Sequence, residues 1–233
     1  MSNGKPAFFI TGTDTDCGKT YVCAALIRHL QHKYQRVAGL KPIASGFELV
    51  DGRLQNTDVE ALRLASNVAL APKLINRYSY QPAIAPHIAA RQIGDNICTE
   101  LIELDVVTAL EQVDVLVVEG VGGWLVPLSE SGSLSIEVLA QRLKLPVILV
   151  VGMKLGCLNH ALLAARAIMQ SGVSFAGWVA NHIDPAFNFL SDNIATLENQ
   201  MPVPKLFELP YQSNSDKYAE VDACSEHWMA LLE

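Results

Sequence analysis

Lys19 and Thr20, Lys41, Asp58 and Glu119 are the side chains whose types and spacing suit work on phosphate. The first two close the stretch Gly12-Thr13-Asp14-Thr15-Asp16-Cys17-Gly18-Lys19-Thr20, which follows the apolar run Ala7-Phe8-Phe9-Ile10 and precedes a helical pattern. A strand, a glycine-bounded loop ending in Gly-Lys-Thr and a helix, in that order, make a phosphate-binding loop. Its backbone N–H groups face polyphosphate oxygens, the lysine supplies a point charge, and the threonine hydroxyl reaches a metal. Five residues separate Gly12 from Gly18 where the common pattern has four, so Thr13 takes the place of the usual first glycine.

Lys41 and Glu119 take their meaning from the elements in front of them. Arg36-Val37-Ala38-Gly39-Leu40 reads as a strand, and Pro42 cannot continue a central ladder. Lys41 therefore falls at the strand's carboxyl edge, where open α/β sheets bind ligands. Val113 to Val118 is apolar and mostly β-branched, as in a parallel strand covered on both faces, and it ends in Glu119-Gly120-Val121-Gly122-Gly123. An acid at that point, opposite a phosphate loop, is placed to organise magnesium. Asp58 follows Thr57, a possible helix cap, so its carboxylate lies near a helix N-terminus and either serves the site or only favours the helix dipole. The turn Gly152 to His160 brings backbone and amide groups to a helix start suited to a carboxylate, with Asn159 as ligand contact or N-cap. Asn181, at another strand end, pairs with an adenine edge or caps a turn. His87 reads as structural or capping ahead of ligand contact.

Stepwise alternation of elements must hold these groups together. Strands are expected over 7–10, 36–42, 113–118, 145–151, 173–180 and 205–209. Helices are expected over 20–33, from 57, and over 96–111, 134–144, 158–171, 187–197 and 218–232. Residues 42–55 read as a loop, 72–86 as an irregular wall of a pocket, and Trp124 and Leu125 as apolar contacts near the glycines. This order predicts one three-layer α/β domain over 1–233, an open and mainly parallel sheet of the phosphate-loop NTPase type. With 50% hydrophobic and 18% charged residues, the composition is that of a compact globular chain. A formal charge of −7 and the lack of a basic run argue against nucleic acid as ligand. Five cysteines without a close pair point to reduced thiols, and no 18-residue apolar segment or leader is read, so a cytosolic protein is expected.

Taken together, these motifs resemble the dethiobiotin synthetase family over essentially the whole chain. The resemblance runs through the expanded phosphate loop, Lys41-Pro42-Ile43-Ala44-Ser45-Gly46, Asn56-Thr57-Asp58, Val118-Glu119-Gly120-Val121-Gly122-Gly123-Trp124, Lys154-Leu155-Gly156-Cys157-Leu158-Asn159-His160 and Gly177-Trp178-Val179-Ala180-Asn181. It implies ATP-dependent closure of the dethiobiotin ring from 7,8-diaminopelargonate and carbon dioxide, with magnesium. The resemblance places ATP at Asp16, Cys17, Gly18, Lys19, Thr20, Tyr21, Asp58, Glu119 and Gly122, and its base at Asn181, Pro210, Tyr211 and Gln212. Magnesium is assigned to Thr20, Asp58 and Glu119, and catalysis to Lys41 and Lys19. The substrate or its carbamate would meet Lys41, Ser45 and Gly122. Its carboxylate would meet Leu155, Gly156, Cys157 and Asn159 of a second subunit, since the family is typically homodimeric. Replacing Lys41 with Ala is expected to impair ring closure while largely preserving the fold. Asp16 stands where members often carry Glu, and Ala85 where a serine is frequent.

The competing class is a phosphate-loop partitioning or switch ATPase, which shares the sheet and the metal-bound phosphates. It would dimerise on ATP and leave a diamine untouched.

Overall fold

The computed structural model describes residues 4–50 and 52–211. The chain begins with β1 (Ala7–Gly12), α1 (Lys19–Leu30), β2 (Val37–Leu40), β3 (Ile43–Ser45), β4 (Glu48–Val50), β5 (Arg53–Gln55) and α2 (Thr57–Ala65). It continues through α3 (Pro72–Ile75), β6 (Tyr78–Tyr80), α4 (Pro86–Gln92), α5 (Thr99–Gln112) and β7 (Val115–Glu119). The remainder comprises α6 (Ile136–Leu143), β8 (Val147–Met153), α7 (Cys157–Gln170), β9 (Phe175–His182), α8 (Leu190–Gln200) and β10 (Lys205–Leu209). All six strands expected from the sequence join one parallel sheet, in the order β10-β9-β8-β1-β7-β2.

Burial explains the composition of those strands. In β1, Phe9 joins the core on one face while Phe8 and Ile10 join the core on the other, and β8 divides Leu149 and Val151 from Ile148 and Val150 in the same way. Both sets are buried because successive side chains point to opposite faces and each face is covered. On α1, Val22, Cys23, Leu26, Ile27 and Leu30 form the buried stripe that docks on the Phe8/Ile10 side.

The structure differs from the sequence expectations in the short elements. The presumed loop 42–55 contains β3 and an antiparallel β4–β5 hairpin, in which Val50 pairs with Arg53. Asp-Gly is a strong two-residue hairpin signal, and Gly52 has φ +75°. The presumed irregular wall 72–86 contains α3 and β6, with β6 pairing in parallel with β3 outside the main sheet. Three-residue strands are too short for periodicity to reveal. The helix expected over 187–197 runs Leu190–Gln200. Trp124 is buried as expected, but Leu125 is 63% exposed. The closing helix over 218–232 and Gln212 lie outside the described residues. Among the described residues, no helix is long and apolar enough to cross a membrane.

Candidate active site

Strand register creates the site. β1 pairs with β7 so that Ile10 lies opposite Glu119, and β2 pairs with β7 so that Leu40 lies opposite Val118. The next residue of β2's chain, Lys41, therefore arrives beside Glu119, and the phosphate loop rises from the end of β1 between them and β8. Lys41 is anchored through its backbone: its N–H donates to the Ile75 carbonyl at 2.8 Å, and its carbonyl accepts from Asn76 Nδ2 at 2.7 Å. The α3–β6 segment that supplies these contacts is held in turn by an ion pair from Arg77 to the buried Asp105 on α5.

The loop wraps its own lysine. Lys19, 4% exposed, donates through Nζ to the carbonyls of Asp14 at 2.9 Å and Thr15 at 3.2 Å. Cys17 is fully buried beneath the loop, with Gly12 and Gly152 leaving it room: a Cβ on Gly12 would lie 2.3 Å from Cys17 Sγ, and one on Gly152 2.9 Å from Cys17 Cα. Asn181 closes the loop from β9, its Nδ2 donating to the Cys17 carbonyl at 2.9 Å. Gly18, which starts α1, has φ +84°, and a Cβ there would lie 2.1 Å from Asn181 Nδ2. Gly18→Ala thus adds left-handed strain of about 1–2 kcal/mol to a steric clash with this clamp, and Mg-ATP affinity is expected to fall about 10-fold or more by calorimetry. Gly132→Ala is the control: φ is +71°, nothing lies within 4 Å of its Cβ, and ATP affinity should stay at the wild-type value.

Beside the loop lies a charged trio. Glu119, whose side chain has no exposure, accepts through Oε1 from the Thr20 hydroxyl at 2.7 Å and from Lys41 Nζ at 2.7 Å. Lys41 Nζ also donates to Asp58 Oδ2. Burial opposes charge on Lys41, but Glu119 and Asp58 outweigh it and hold its pKa above the ordinary lysine value. Lys41 is therefore a fixed cation at neutral pH and no general base.

Asp58 is placed by Asn56 rather than by the expected Thr57 cap. Asn56 Oδ1 accepts from the N–H groups of Asp58 and Val59, while its Nδ2 donates to the carbonyls of Ser45 and Gly46. One buried amide thus sets both Asp58 and Ser45. An Asn directly before Thr-Asp carried this signal in the sequence.

The residues present fit a magnesium ion. Glu119 Oε2 is buried without a hydrogen-bond partner among the described residues, next to the Thr20 hydroxyl. Among those residues no cluster of three or more His, Cys, Asp or Glu side chains could hold a metal by itself. Mg²⁺ needs none, because it keeps several waters and uses one or two carboxylates plus substrate phosphates.

A cavity of about 770 Å³ opens over these groups. It brings together Asp16, Gly18, Lys19, Thr20, Tyr21, Lys41, Ser45, Asp58, Glu119 and Gly122 of the expected site. Ser45 Oγ is buried there without a hydrogen-bond partner among the described residues. Thr15 and Thr57 also line the cavity, and so does the Ala83–Pro86 stretch, within the segment 72–86 expected to form a pocket wall. Leu155, Gly156, Cys157, Asn159, Asn181, Pro210 and Tyr211 do not line it. Asn159 is no N-cap either: Gly156 caps α7, with φ +93°. His87 Nδ1 lies 3.0 Å from the Pro127 carbonyl, which makes its role a tie between α4 and the loop after β7.

A parallel sheet with a phosphate loop at its centre, a Gly-Lys-Thr helix start and an acid at the end of the neighbouring strand define a phosphate-loop NTPase. A family model described as "AAA domain" matches residues 6–219. The sequence is 46% identical over 206 residues, 88% of this chain and 90% of the relative, to the ATP-dependent dethiobiotin synthetase BioD of Pseudomonas aeruginosa strain UCBPP-PA14. It is 43% identical to the protein of that name from Aliivibrio fischeri strain MJ11, over 93% of this chain and 97% of the relative. The chain belongs to the ATP-dependent dethiobiotin synthetase family. Among solved structures, a ParA family ATPase from Chlorobium tepidum TLS shares the fold, with a TM-score of 0.52 and 17% identity over 90% of this chain and 85% of that one.

Proposed function

We propose that this protein closes the ring of dethiobiotin from 7,8-diaminopelargonate, CO₂ and ATP, releasing ADP and phosphate. The observation that carries this reading is the meeting of Lys19, Lys41 and Ser45 in one cavity of a chain that belongs to this family. One amine attacks CO₂ and loses a proton, giving a carbamate. A carbamate oxygen then takes the γ-phosphoryl group of ATP, and ADP leaves. The second amine attacks the activated carbonyl, the carbon–oxygen bond to phosphate breaks, and loss of a proton leaves the cyclic urea.

No protein nucleophile is required, because the second amine is held next to its target. The chain's task is to gather anions and stabilise the charge that moves between them. Lys19 leaves its loop carbonyls for phosphate oxygens, and Lys41 offsets charge as the carbamate is phosphorylated. Ser45 Oγ donates to the carbamate. Thr20, Glu119 and Asp58 would hold magnesium, directly or through water, and the ion would neutralise phosphate charge. Asn181 Oδ1, buried without a partner among the described residues, supports a contact to the exocyclic amine of adenine, with Pro210, Tyr211 and Gln212 completing the base site.

The protein acts as a homodimer on this reading. Leu155, Gly156, Cys157 and Asn159 do not line their own chain's cavity, and Leu155 and Leu163 are 90% and 56% exposed around α7. A helix start is suited to a carboxylate, so on this reading each turn serves the diamine held by the partner. The test is mass-spectrometric detection of dethiobiotin from 7,8-diaminopelargonate, bicarbonate, ATP and Mg²⁺, with each omitted in turn. Product that needs all of them is the expected result; ATP consumption without a new ring would overturn the assignment.

A further inference from the structure

A carboxylate inside a phosphate loop is a liability, since it repels the ligand that the loop exists to hold. Asp14 is such a carboxylate, and the fold brings it a cation from far along the chain: Lys154 Nζ donates to Asp14 Oδ2 at 3.0 Å. β1 and β8 pair with Gly12 opposite Val150, so the loop and the residues after Met153 leave the sheet side by side. The other atoms of Asp14 organise the loop. Its Oδ1 accepts from the Thr15 N–H at 2.7 Å, and its backbone carbonyl accepts from Lys19.

Hydrogen bonds from Lys154 and from the Thr15 amide, only partly offset by burial, hold the Asp14 carboxyl below the usual aspartate range. It carries its charge at neutral pH. The pair is half-exposed, with 35% and 44% side-chain exposure, and such pairs contribute little to global stability. Its effect is local to the loop.

We propose that Lys154 is a positioning residue for the phosphate loop: it neutralises Asp14 and pins Asp14 and Thr15, whose carbonyls cradle Lys19, against the end of β8. Nothing in this depends on the diamine, so it stands apart from the ring-closing reading.

The test is calorimetric titration of the full chain with Mg-ATP at low salt, alongside thermal melts. Lys154→Ala should weaken ATP binding about 10-fold through the uncovered Asp14 charge, while Tm moves by no more than about 2 °C. Lys154→Arg should retain near-normal affinity. Adding Asp14→Asn to Lys154→Ala keeps the Oδ1 acceptor and removes the charge, and should bring affinity back to within about 3-fold of wild type. Unchanged ATP affinity in Lys154→Ala would overturn the proposal, as would a double variant no better than the single. Absence of dethiobiotin from the wild-type assay would instead count against the ring-closing reading and leave these titrations unaffected.

Discussion

Lys41→Ala is expected to lower the rate of dethiobiotin formation by about 10²–10³-fold, the scale seen when one fixed donor to a developing charge is removed. Mg-ATP affinity should change by only a few-fold, because Lys19 and the loop amides carry the triphosphate. The sequence alone suggested that this variant would keep its fold intact, and the structure alters that expectation. Lys41 is the counter-ion of Glu119, whose side chain is fully buried. Removing one partner of a buried pair costs about 3 kcal/mol or more, so Tm should fall by roughly 6–12 °C at this chain length. Added Mg²⁺ should recover part of the loss by supplying a replacement cation. Rates are therefore compared at a temperature where circular dichroism shows the variant folded and at saturating Mg-ATP. A folded variant that forms dethiobiotin at the wild-type rate would refute the role given to Lys41.

Glu119→Gln should raise the Mg²⁺ concentration needed for half-maximal activity at least about 10-fold, in keeping with the loss of a charged ligand to a hard cation. The substitution preserves volume and keeps an acceptor for Thr20, so the loop geometry should survive. What disappears is the charge shared by Oε1, which holds Thr20 and Lys41, and Oε2, which holds nothing in the described residues. Metal-free ATP should bind both proteins with similar affinity, and the difference should emerge as Mg²⁺ is titrated at fixed ATP. Identical metal dependence in the two proteins would remove Glu119 from the metal site. Asp58 then becomes the remaining carboxylate of the set.

The sheet and the phosphate loop were legible because their signals are local. Apolar strand runs, the Gly-Lys-Thr helix start, and the acid and lysine that end β7 and β2 all lie within a few residues of the pattern that identifies them. What brings those ends into contact is tertiary. Nothing near Lys41 announces that it meets Glu119, 78 positions away, or that Lys154 meets Asp14, 140 positions away. Asn56 escaped notice because Thr57 offered an equally good cap, and only the fold shows which residue turns its oxygen to the helix amides. The β4–β5 hairpin carried its Asp-Gly signal, but Glu48-Leu49-Val50 and Arg53-Leu54-Gln55 are too short to alternate recognisably. Of the two readings of Asn159, the N-cap fails for a related reason: the left-handed Gly156 ends the turn earlier than polarity alone suggests.

The pairing of Leu40 with Val118 and of Ile10 with Glu119 also governs how this catalyst can fail. A slip of one residue in β7 against its two neighbours would turn its side chains to the opposite face, separating lysine from glutamate and glutamate from threonine at once. β2 is the last strand of the sheet, yet its residues are buried and its N–H groups donate to the side chains of Asn67 and Ser66, so that edge too is held closed. Loss of activity on heating is thereby expected to follow the opening of that sheet.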